Sequence, residues 1–171
     1  TILPVFADEA IYIRWSQIMA SEPTLRFLPL SDGKQPLYMW ILMFVVKYFS
    51  DPLFVGRLIS VLSGLMTIVG IFTATYLLFK NKGLGVIASL IYVLSPFTFF
   101  FDRLALVDSL LASLTVWTFV FSYLTFKSSR LDFAIITGII LGLASLTKSP
   151  AIFTASLIPL FFVFNKDIQS V

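Results

Sequence analysis

Charged residues divide the chain into long apolar stretches. After residue 57, five runs contain no Asp, Glu, Lys or Arg: residues 58–79, 83–101, 109–126, 133–147 and 149–165. A helix over the first run, at about 1.5 Å rise per residue, reaches roughly 33 Å and crosses a hydrocarbon core of about 30 Å. The last two runs are shorter and cross only if Lys148, at their junction, lies near a membrane surface. The pattern predicts an all-α integral membrane protein with five transmembrane helices.

The basic residues between these runs are unevenly distributed. One set of connections and the C-terminal tail carry most of them: Lys80, Lys82, Lys127, Arg130 and Lys166. The alternate connections carry only Arg103 and Lys148. Since Lys and Arg are enriched in cytoplasmic loops, the first set is expected in the cytoplasm and the second outside. We therefore expect a multi-pass protein of the plasma (inner) membrane whose functional residues lie on the extracytoplasmic side.

The first 57 residues have a different pattern. Their longest charge-free run, residues 35–46, is too short to cross a membrane. In residues 8–19 the apolar Ile11, Trp15 and Ile18 recur at helical spacing, which is typical of a helix lying in the membrane interface. Residues 36–48 are expected to form a second such helix. The predicted organisation is an extracytoplasmic loop over 1–57 and a five-span bundle over 58–171.

Two smaller patterns concern helix packing and chain length. Ser60 with Gly64, and Gly138 with Gly142, have the small-residue spacing that lets membrane helices approach closely. Pro96 is expected to kink or end the second span. Because the chain begins at Thr1 in a polar stretch, we expect a fragment of a larger bundle with another span upstream.

Composition excludes several kinds of chemistry. The chain has no His and no Cys, so it cannot form a Ser-His-Asp triad, a Cys nucleophile, a zinc cluster or a disulfide within itself. Acid–base chemistry is left to carboxylates, Lys, Tyr or water. The net charge of +3 is small and dispersed, and nucleic-acid binding is not expected.

The ionisable residues of the predicted outer face each have two interpretations. Asp8 and Glu9 are either helix-capping acids or carboxylates that take a proton from a hydroxyl at the membrane surface. Lys34 and Lys148 are either lysines whose stems lie along the apolar layer or cations directed at a lipid phosphate.

Arg103 and Asp108 are further candidates on the same face. They are either boundary charges that end two spans or members of a site. On their own, the residues do not decide between these alternatives.

The order of these residues along the chain resembles a known family. An Asp-Glu pair is followed by Lys-x-Pro-Leu-Tyr, by Arg-x-Ala-Leu-x-Asp at residues 103–108, and by Leu-Thr-Lys ending at Lys148. This is similar to the GT-C membrane glycosyltransferases, above all the branch of the protein O-mannosyltransferases and lipid A aminoarabinose transferases. The similarity runs from about residue 6 to residue 150. Gln35 and Ser149 depart from the family's usual Pro and Gly.

The resemblance implies an activity and roles for these residues. Family members transfer a sugar from a polyprenyl-phosphate donor, with inversion, to a hydroxyl acceptor. Asp8, beside Glu9, would activate the acceptor. The remaining candidates would bind the donor phosphate or support the site: Lys34, Arg103 and Lys148 for the phosphate, and Asp108 in support.

Several points stay open at this stage. The acceptor belongs to a protein, a lipid or a glycan. No cofactor is assigned, and a divalent metal on Asp8 and Glu9 stays open. The fragment alone is expected to be inactive. The alternative functions are a transporter or flippase of a lipid-linked sugar and a non-catalytic membrane scaffold of the same fold.

Overall fold

The computed structural model describes residues 4–164, which form α-helices joined by short turns and contain no strand. The helices are α1 (Ala7–Ser21), α2 (Leu37–Val46), α3 (Pro52–Phe79), α4 (Lys82–Leu94), α5 (Pro96–Phe101), α6 (Val107–Ser128), α7 (Leu131–Thr147) and α8 (Ala151–Phe164). Two 3-10 turns, Pro23–Leu25 and Leu28–Asp32, connect α1 to α2. The predicted all-α fold is confirmed for this part of the chain. Predictions for Lys166 and for the last residue of the fifth run lie outside it.

Two of the described helices, α3 and α6, are long and apolar enough to cross a membrane. Less than a third of the apolar window of α3 is buried, which is unlike the core helix of a water-soluble protein. Its exposed face carries large apolar residues, including Leu62, Leu65 and Val69, whereas its buried face carries Ser60, Gly64 and other small residues. This inside-out distribution is typical of helices in lipid. The described residues thus contain two candidate membrane spans, and the bundle of five spans stays a prediction.

One element boundary differs from the prediction, and another agrees with it. Helix α3 begins at Pro52, six residues before the first charge-free run, and therefore contains Arg57 on its buried face. The predicted domain boundary between residues 57 and 58 lies inside this helix. The prediction that Pro96 kinks or ends the second span is confirmed, because Ser95 is extended and Pro96 begins a new helix, α5, after the end of α4. At 13 residues, α4 alone is shorter than a bilayer core.

The chain passes back and forth along the bundle, which we define as α3–α8. Trp117 donates to the carbonyl of Met66 and Tyr123 to that of Leu77, so α3 and α6 run parallel. Between them, α4 returns alongside α3, where Ser89 donates to the carbonyl of Ile68. The starts of α3 and α6 and the end of α7 therefore lie at one end of the bundle. The basic residues Lys80, Lys82, Lys127 and Arg130 lie at the other end.

The helices of the N-terminal region pack on one another and on the bundle, and their location in the membrane interface stays a prediction. Helices α1 and α2 pack on each other and on the start of α3, and together with the loop of residues 102–106 they form a compact unit that we call the cap. Its core contains the largest fully buried apolar side chains of the described chain, including Met19, Tyr38, Met39 and Leu42.

The protein-facing side of α1 is shifted by one position from the apolar residues Ile11, Trp15 and Ile18, whose contact with a membrane interface stays a prediction. The buried residues of α1 are Glu9, Tyr12, Ser16 and Met19, while Ile11 is exposed and Trp15 and Ile18 are only partly buried. The reason is that α2 lies against the Tyr12 side of α1.

The two small-residue pairs behave differently. A Cβ atom on Gly64 would lie 2.6 Å from Oδ2 of Asp102, so this glycine lets the end of α5 approach α3. Nothing lies within 4 Å of an added Cβ on Gly138 or on Gly142 in the described part of the chain. The packing role predicted from spacing thus applies to Gly64 and not, within these residues, to the pair on α7.

Candidate functional site

A cavity of about 360 Å³ lies between the cap and the end of the bundle where α6 begins. Its walls come from the start of α1, the loop before α2, the start of α6 and the connection between α7 and α8. The residues that line it are Asp8, Tyr12, Gly33, Lys34, Gln35, Val107, Thr147, Lys148, Ser149 and Pro150. Segments far apart in sequence thus meet around one hollow, and two of the predicted cations and one predicted carboxylate are among them.

Lys34 lies in the wall of the cavity that the cap provides. Its Nζ lies 3.3 Å from Oδ1 of Asp8 and 3.5 Å from Oδ2 of Asp32. The same Nζ lies 5.0 Å from the ring centroid of Tyr12 and 5.5 Å from that of Trp15. Partial burial acts to lower the pKa of Lys34, but Tyr12 and the two carboxylates raise it above its ordinary value. The ammonium therefore stays charged at neutral pH.

The local backbone directs Lys34 toward α1. The 3-10 turn Leu28–Asp32 ends at Gly33, whose φ of 69° lies in the left-handed region that glycine adopts without strain. The amide of Lys34 then donates to the carbonyl of Pro29 at 3.1 Å, which closes the turn. The turn at Asp32-Gly33 thus determines where the cation lies.

Lys148 and Asp108 form a second ion pair on the bundle side. The two atoms, Nζ of Lys148 and Oδ1 of Asp108, lie 2.7 Å apart. Asp108 is in the first turn of α6, and Lys148 is extended directly after the end of α7. Asp108 is thus paired with Lys148, and both residues adjoin the cavity.

Glu9 does not line the cavity, although it follows Asp8 directly. Its carboxylate is fully buried and accepts two hydrogen bonds from Arg57, at 2.9 and 2.8 Å. It also accepts from the backbone amides of Ala105, at 2.7 Å, and Phe6, at 2.9 Å. Burial acts to raise the pKa of Glu9, but these hydrogen bonds outweigh it and hold the pKa below its usual range.

The contacts of Glu9 join α1 to α3 and to the loop before α6. Consecutive residues of a helix point about 100° apart, so Asp8 and Glu9 cannot both face one cavity. This spacing argument is available from sequence and would have separated the two carboxylates. Arg57, the partner that sequence reasoning missed, stands 48 positions away, and no local pattern identifies it.

Arg103 is the second candidate that the structure keeps away from the cavity. Its guanidinium carbon lies 3.7 Å from the ring centroid of Phe99, and the residue is exposed. It lines a separate, mostly apolar groove of about 160 Å³ between α3, α4 and α5. Asp102 also lines that groove and accepts from Ser109 at 2.6 Å and from Tyr92 at 2.9 Å. Of the three predicted phosphate-binding cations, Lys34 and Lys148 therefore share the cavity and Arg103 does not.

Tyr12 is a cavity residue that the sequence reasoning missed. It follows Asp8 by four positions, so the two side chains lie on the same face of α1. That spacing was a signal for its location. The described residues contain no group of three or more His, Cys, Asp or Glu side chains placed to hold a metal ion.

The comparison with known proteins agrees with the resemblance seen in the sequence. The family model of the dolichyl-phosphate-mannose-protein mannosyltransferases matches residues 33–171. No curated protein and no solved structure matches the chain. The matched part includes Lys34, Arg103, Asp108 and Lys148, whereas Asp8 and Tyr12 precede it. The match covers well over half of the sequence, so the chain belongs to the dolichyl-phosphate-mannose-protein mannosyltransferase family, a family of membrane glycosyltransferases.

Proposed function

We propose that the chain forms part of the active site of an inverting glycosyltransferase that moves a sugar, in this family mannose, from a polyprenyl-phosphate donor to a hydroxyl acceptor. One observation carries the proposal. An accessible carboxylate, Asp8, shares a cavity with two lysines, Lys34 and Lys148, that come from opposite walls. A base and phosphate-binding cations around one hollow are what this reaction requires.

In the proposed reaction, the acceptor oxygen attacks the anomeric carbon of the donor. A bond forms between this oxygen and the anomeric carbon, while the bond from the anomeric carbon to the phosphate oxygen breaks. The acceptor proton passes to the carboxylate of Asp8, whose side chain is 44% exposed. The electron pair leaves with the phosphate, so no general acid is needed and one carboxylate suffices.

Lys34 and Lys148 are assigned to the leaving phosphate. Its negative charge increases as the bond breaks, and cations positioned in advance stabilise that charge without reorganisation. Asp108 would hold Lys148 in place through their ion pair. Entry of the phosphate would give Lys34 a third anion to contact, besides Asp8 and Asp32, and would release Asp8 to accept the proton. Arg103 lines another groove and Glu9 is buried, so neither has a part in this scheme.

The position of the cavity supports an extracytoplasmic site. It lies at the end of the bundle where α3 and α6 begin, and the basic residues Lys80, Lys82, Lys127 and Arg130 lie at the opposite end. The enrichment of Lys and Arg on the cytoplasmic side then orients the cavity outward. We infer that the reaction takes place at the outer membrane–water interface.

The test is sugar transfer by the full-length protein in liposomes from a radiolabelled mannosyl polyprenyl phosphate. Asp8→Asn is expected to lower turnover about 10²- to 10⁴-fold, the usual contribution of a general base. The matched control is Asp51→Asn, because Asp51 caps α3 through the amides of Leu53 and Phe54, away from the cavity, and Asn caps equally well.

Full turnover by a folded Asp8→Asn variant would contradict the assignment of the base. Movement of labelled lipid across the bilayer without a covalent product would instead support the alternative of a transporter. Failure to bind a polyprenyl phosphate, with the fold intact, would support the scaffold alternative.

A further inference from the structure

Tyr12 has a hydroxyl group that no described residue uses. Its ring is only 6% exposed and belongs to the core of the cap, where it packs edge-on against Tyr38 and at a tilt against Trp15. Buried tyrosines normally have a hydrogen-bond partner for the hydroxyl. Tyr38, its neighbour, has two, the carbonyl of Gly56 and the hydroxyl of Ser60. The Tyr12 hydroxyl has none within residues 4–164.

The Tyr12 hydroxyl is nevertheless not enclosed. No buried polar side-chain atom of the described residues lacks a partner, so this unpartnered oxygen must be accessible. The residue lines the cavity, and the cavity is therefore the space into which the hydroxyl is directed. A nearly buried ring thus presents a single polar atom to the hollow that the two lysines share.

The charges around Tyr12 keep it a hydrogen-bond donor. Burial raises the pKa of Tyr12, Lys34 acts against this, and the carboxylates of Asp8, Asp108 and Asp32 add to the increase. The phenol therefore stays protonated at neutral pH. The groups that act on it belong to both ion pairs, so Tyr12 lies within reach of the charges of both walls.

From this arrangement the geometry points to Tyr12 as a further binding residue, whose hydroxyl donates a hydrogen bond to a phosphate oxygen of the lipid-linked substrate. The inference rests on the proposed function, because it places the phosphate between Lys34 and Lys148. Each lysine already has a carboxylate partner. A neutral donor adds a hydrogen bond to the anion without bringing another charge that a carboxylate must balance.

The fixed ring also gives this donor a defined direction. The ring of Tyr12 packs against Tyr38 and Trp15, and Nζ of Lys34 lies over it, 5.0 Å from its centroid. A donor on a ring packed in this way does not have to be ordered when the ligand binds, which favours binding. Lys34, in contrast, is shared between two carboxylates before a ligand arrives.

The test compares two variants that remove the same atom from the same residue type. Binding of a polyprenyl monophosphate, the product-like probe, is measured for the full-length protein in detergent by calorimetry. Tyr12→Phe is expected to weaken binding about tenfold to a hundredfold, the usual effect of losing a hydrogen bond to a charged group. It should leave the melting temperature nearly unchanged, since the hydroxyl has no partner inside the fold.

Tyr38→Phe is the matched control and should give the reverse pattern. It loses hydrogen bonds to Gly56 and Ser60 and is expected to lower the melting temperature, while its affinity for the probe stays that of the wild type. Lys34→Gln tests the underlying proposal in the same assay. If the wild type binds the probe and Lys34→Gln does not, but Tyr12→Phe binds normally, the inference about Tyr12 is wrong and the proposed function stands. If the wild type does not bind the probe at all, the proposed function itself fails.

Discussion

The cap and the bundle bury opposite kinds of side chain. The interior of the cap contains Met19, Tyr38, Met39 and Leu42, as in a protein folded in water. The interior of the bundle contains Ser60, Ser63, Thr67 and Thr118, while its large apolar residues face outward. The cap is therefore stabilised mainly by removing apolar surface from water, and the bundle by close packing and hydrogen bonds between helices. The candidate site lies where these two kinds of packing meet.

The largest expected effect comes from breaking the link between the two regions. Arg57→Ala leaves the carboxylate of Glu9 buried without its cation, and we expect the free energy of unfolding to fall by about 3–5 kcal/mol. Denaturant unfolding in a fixed detergent measures this. Arg130→Ala is the control, because its ion pair with Asp132 is exposed and its loss is expected to change little. Similar losses for the two variants would show that the buried pair does not join cap and bundle.

The same chemical change in each region tests the comparison itself. Leu42→Ala removes a fully buried side chain from the cap and is expected to cost about 2–5 kcal/mol. Leu62→Ala removes a side chain of α3 that is 51% exposed and faces outward, and lipid tails replace its contacts. Thermal unfolding of both variants in the same detergent measures the difference. A larger loss for Leu62→Ala would mean that the outward face of α3 is covered by protein.

A smaller loss of stability is expected at Gly64, where α3 and the end of α5 approach each other closely. Gly64→Ala places a Cβ atom against the carboxylate of Asp102 and is expected to cost about 1–3 kcal/mol, because that side chain must shift. Gly138→Ala meets nothing within 4 Å in the described residues and should be neutral or slightly stabilising in its helix. The melting temperatures of these two variants measure the difference. A stabilised Gly64→Ala variant would contradict tight packing at the end of α5.

The smallest change in stability, together with a large change in activity, is expected at the ion pair of Lys148 with Asp108. Lys148 and Asp108 are both partly exposed, so Lys148→Gln should alter the free energy of unfolding by less than about 1 kcal/mol. If Lys148 binds the leaving phosphate, turnover should fall about a hundredfold. Lys127→Gln, at the other end of the bundle, serves as the control in transfer assays. Equal turnover of both variants would remove Lys148 from the site.

The sequence predicted where the helices lie more accurately than which residues they contact. Runs without charge marked the helices after residue 57, because a charged residue is costly inside a membrane. The start of α3 was missed, since the charge of Arg57 is neutralised by Glu9, 48 positions away. The side of α1 that packs in the cap was not predicted, because its partner α2 is a separate segment of the chain. Long-range pairs of this kind leave no periodic signal in a single sequence.

Part of the candidate site was predicted, because the resemblance named residues that the fold brings together. The resemblance brought Asp8, Lys34, Asp108 and Lys148 together, and the structure places them around one cavity or next to it. The resemblance also included Glu9 and Arg103. They belong to the same motifs, but the helix that carries Glu9 and the loop that carries Arg103 direct their side chains away from the cavity. Tyr12 was within reach of a simple spacing argument from Asp8. Its unused hydroxyl, however, appears only when the neighbours of every polar atom are known.

The anchoring of Glu9 limits how Asp8 can move. The two residues are adjacent, and four hydrogen bonds hold the carboxylate of Glu9 to Arg57, Ala105 and Phe6. The backbone at Asp8 is thereby pinned, and its carboxylate is left with rotation about its own side-chain bonds. A change in the size of the ligand that the cavity accommodates is therefore expected to involve the opposite wall, the turn of residues 148–150 between α7 and α8. Substitutions at Ser149 and Pro150, which leave both Lys148 and α1 unchanged, are therefore expected to alter the shape of the cavity.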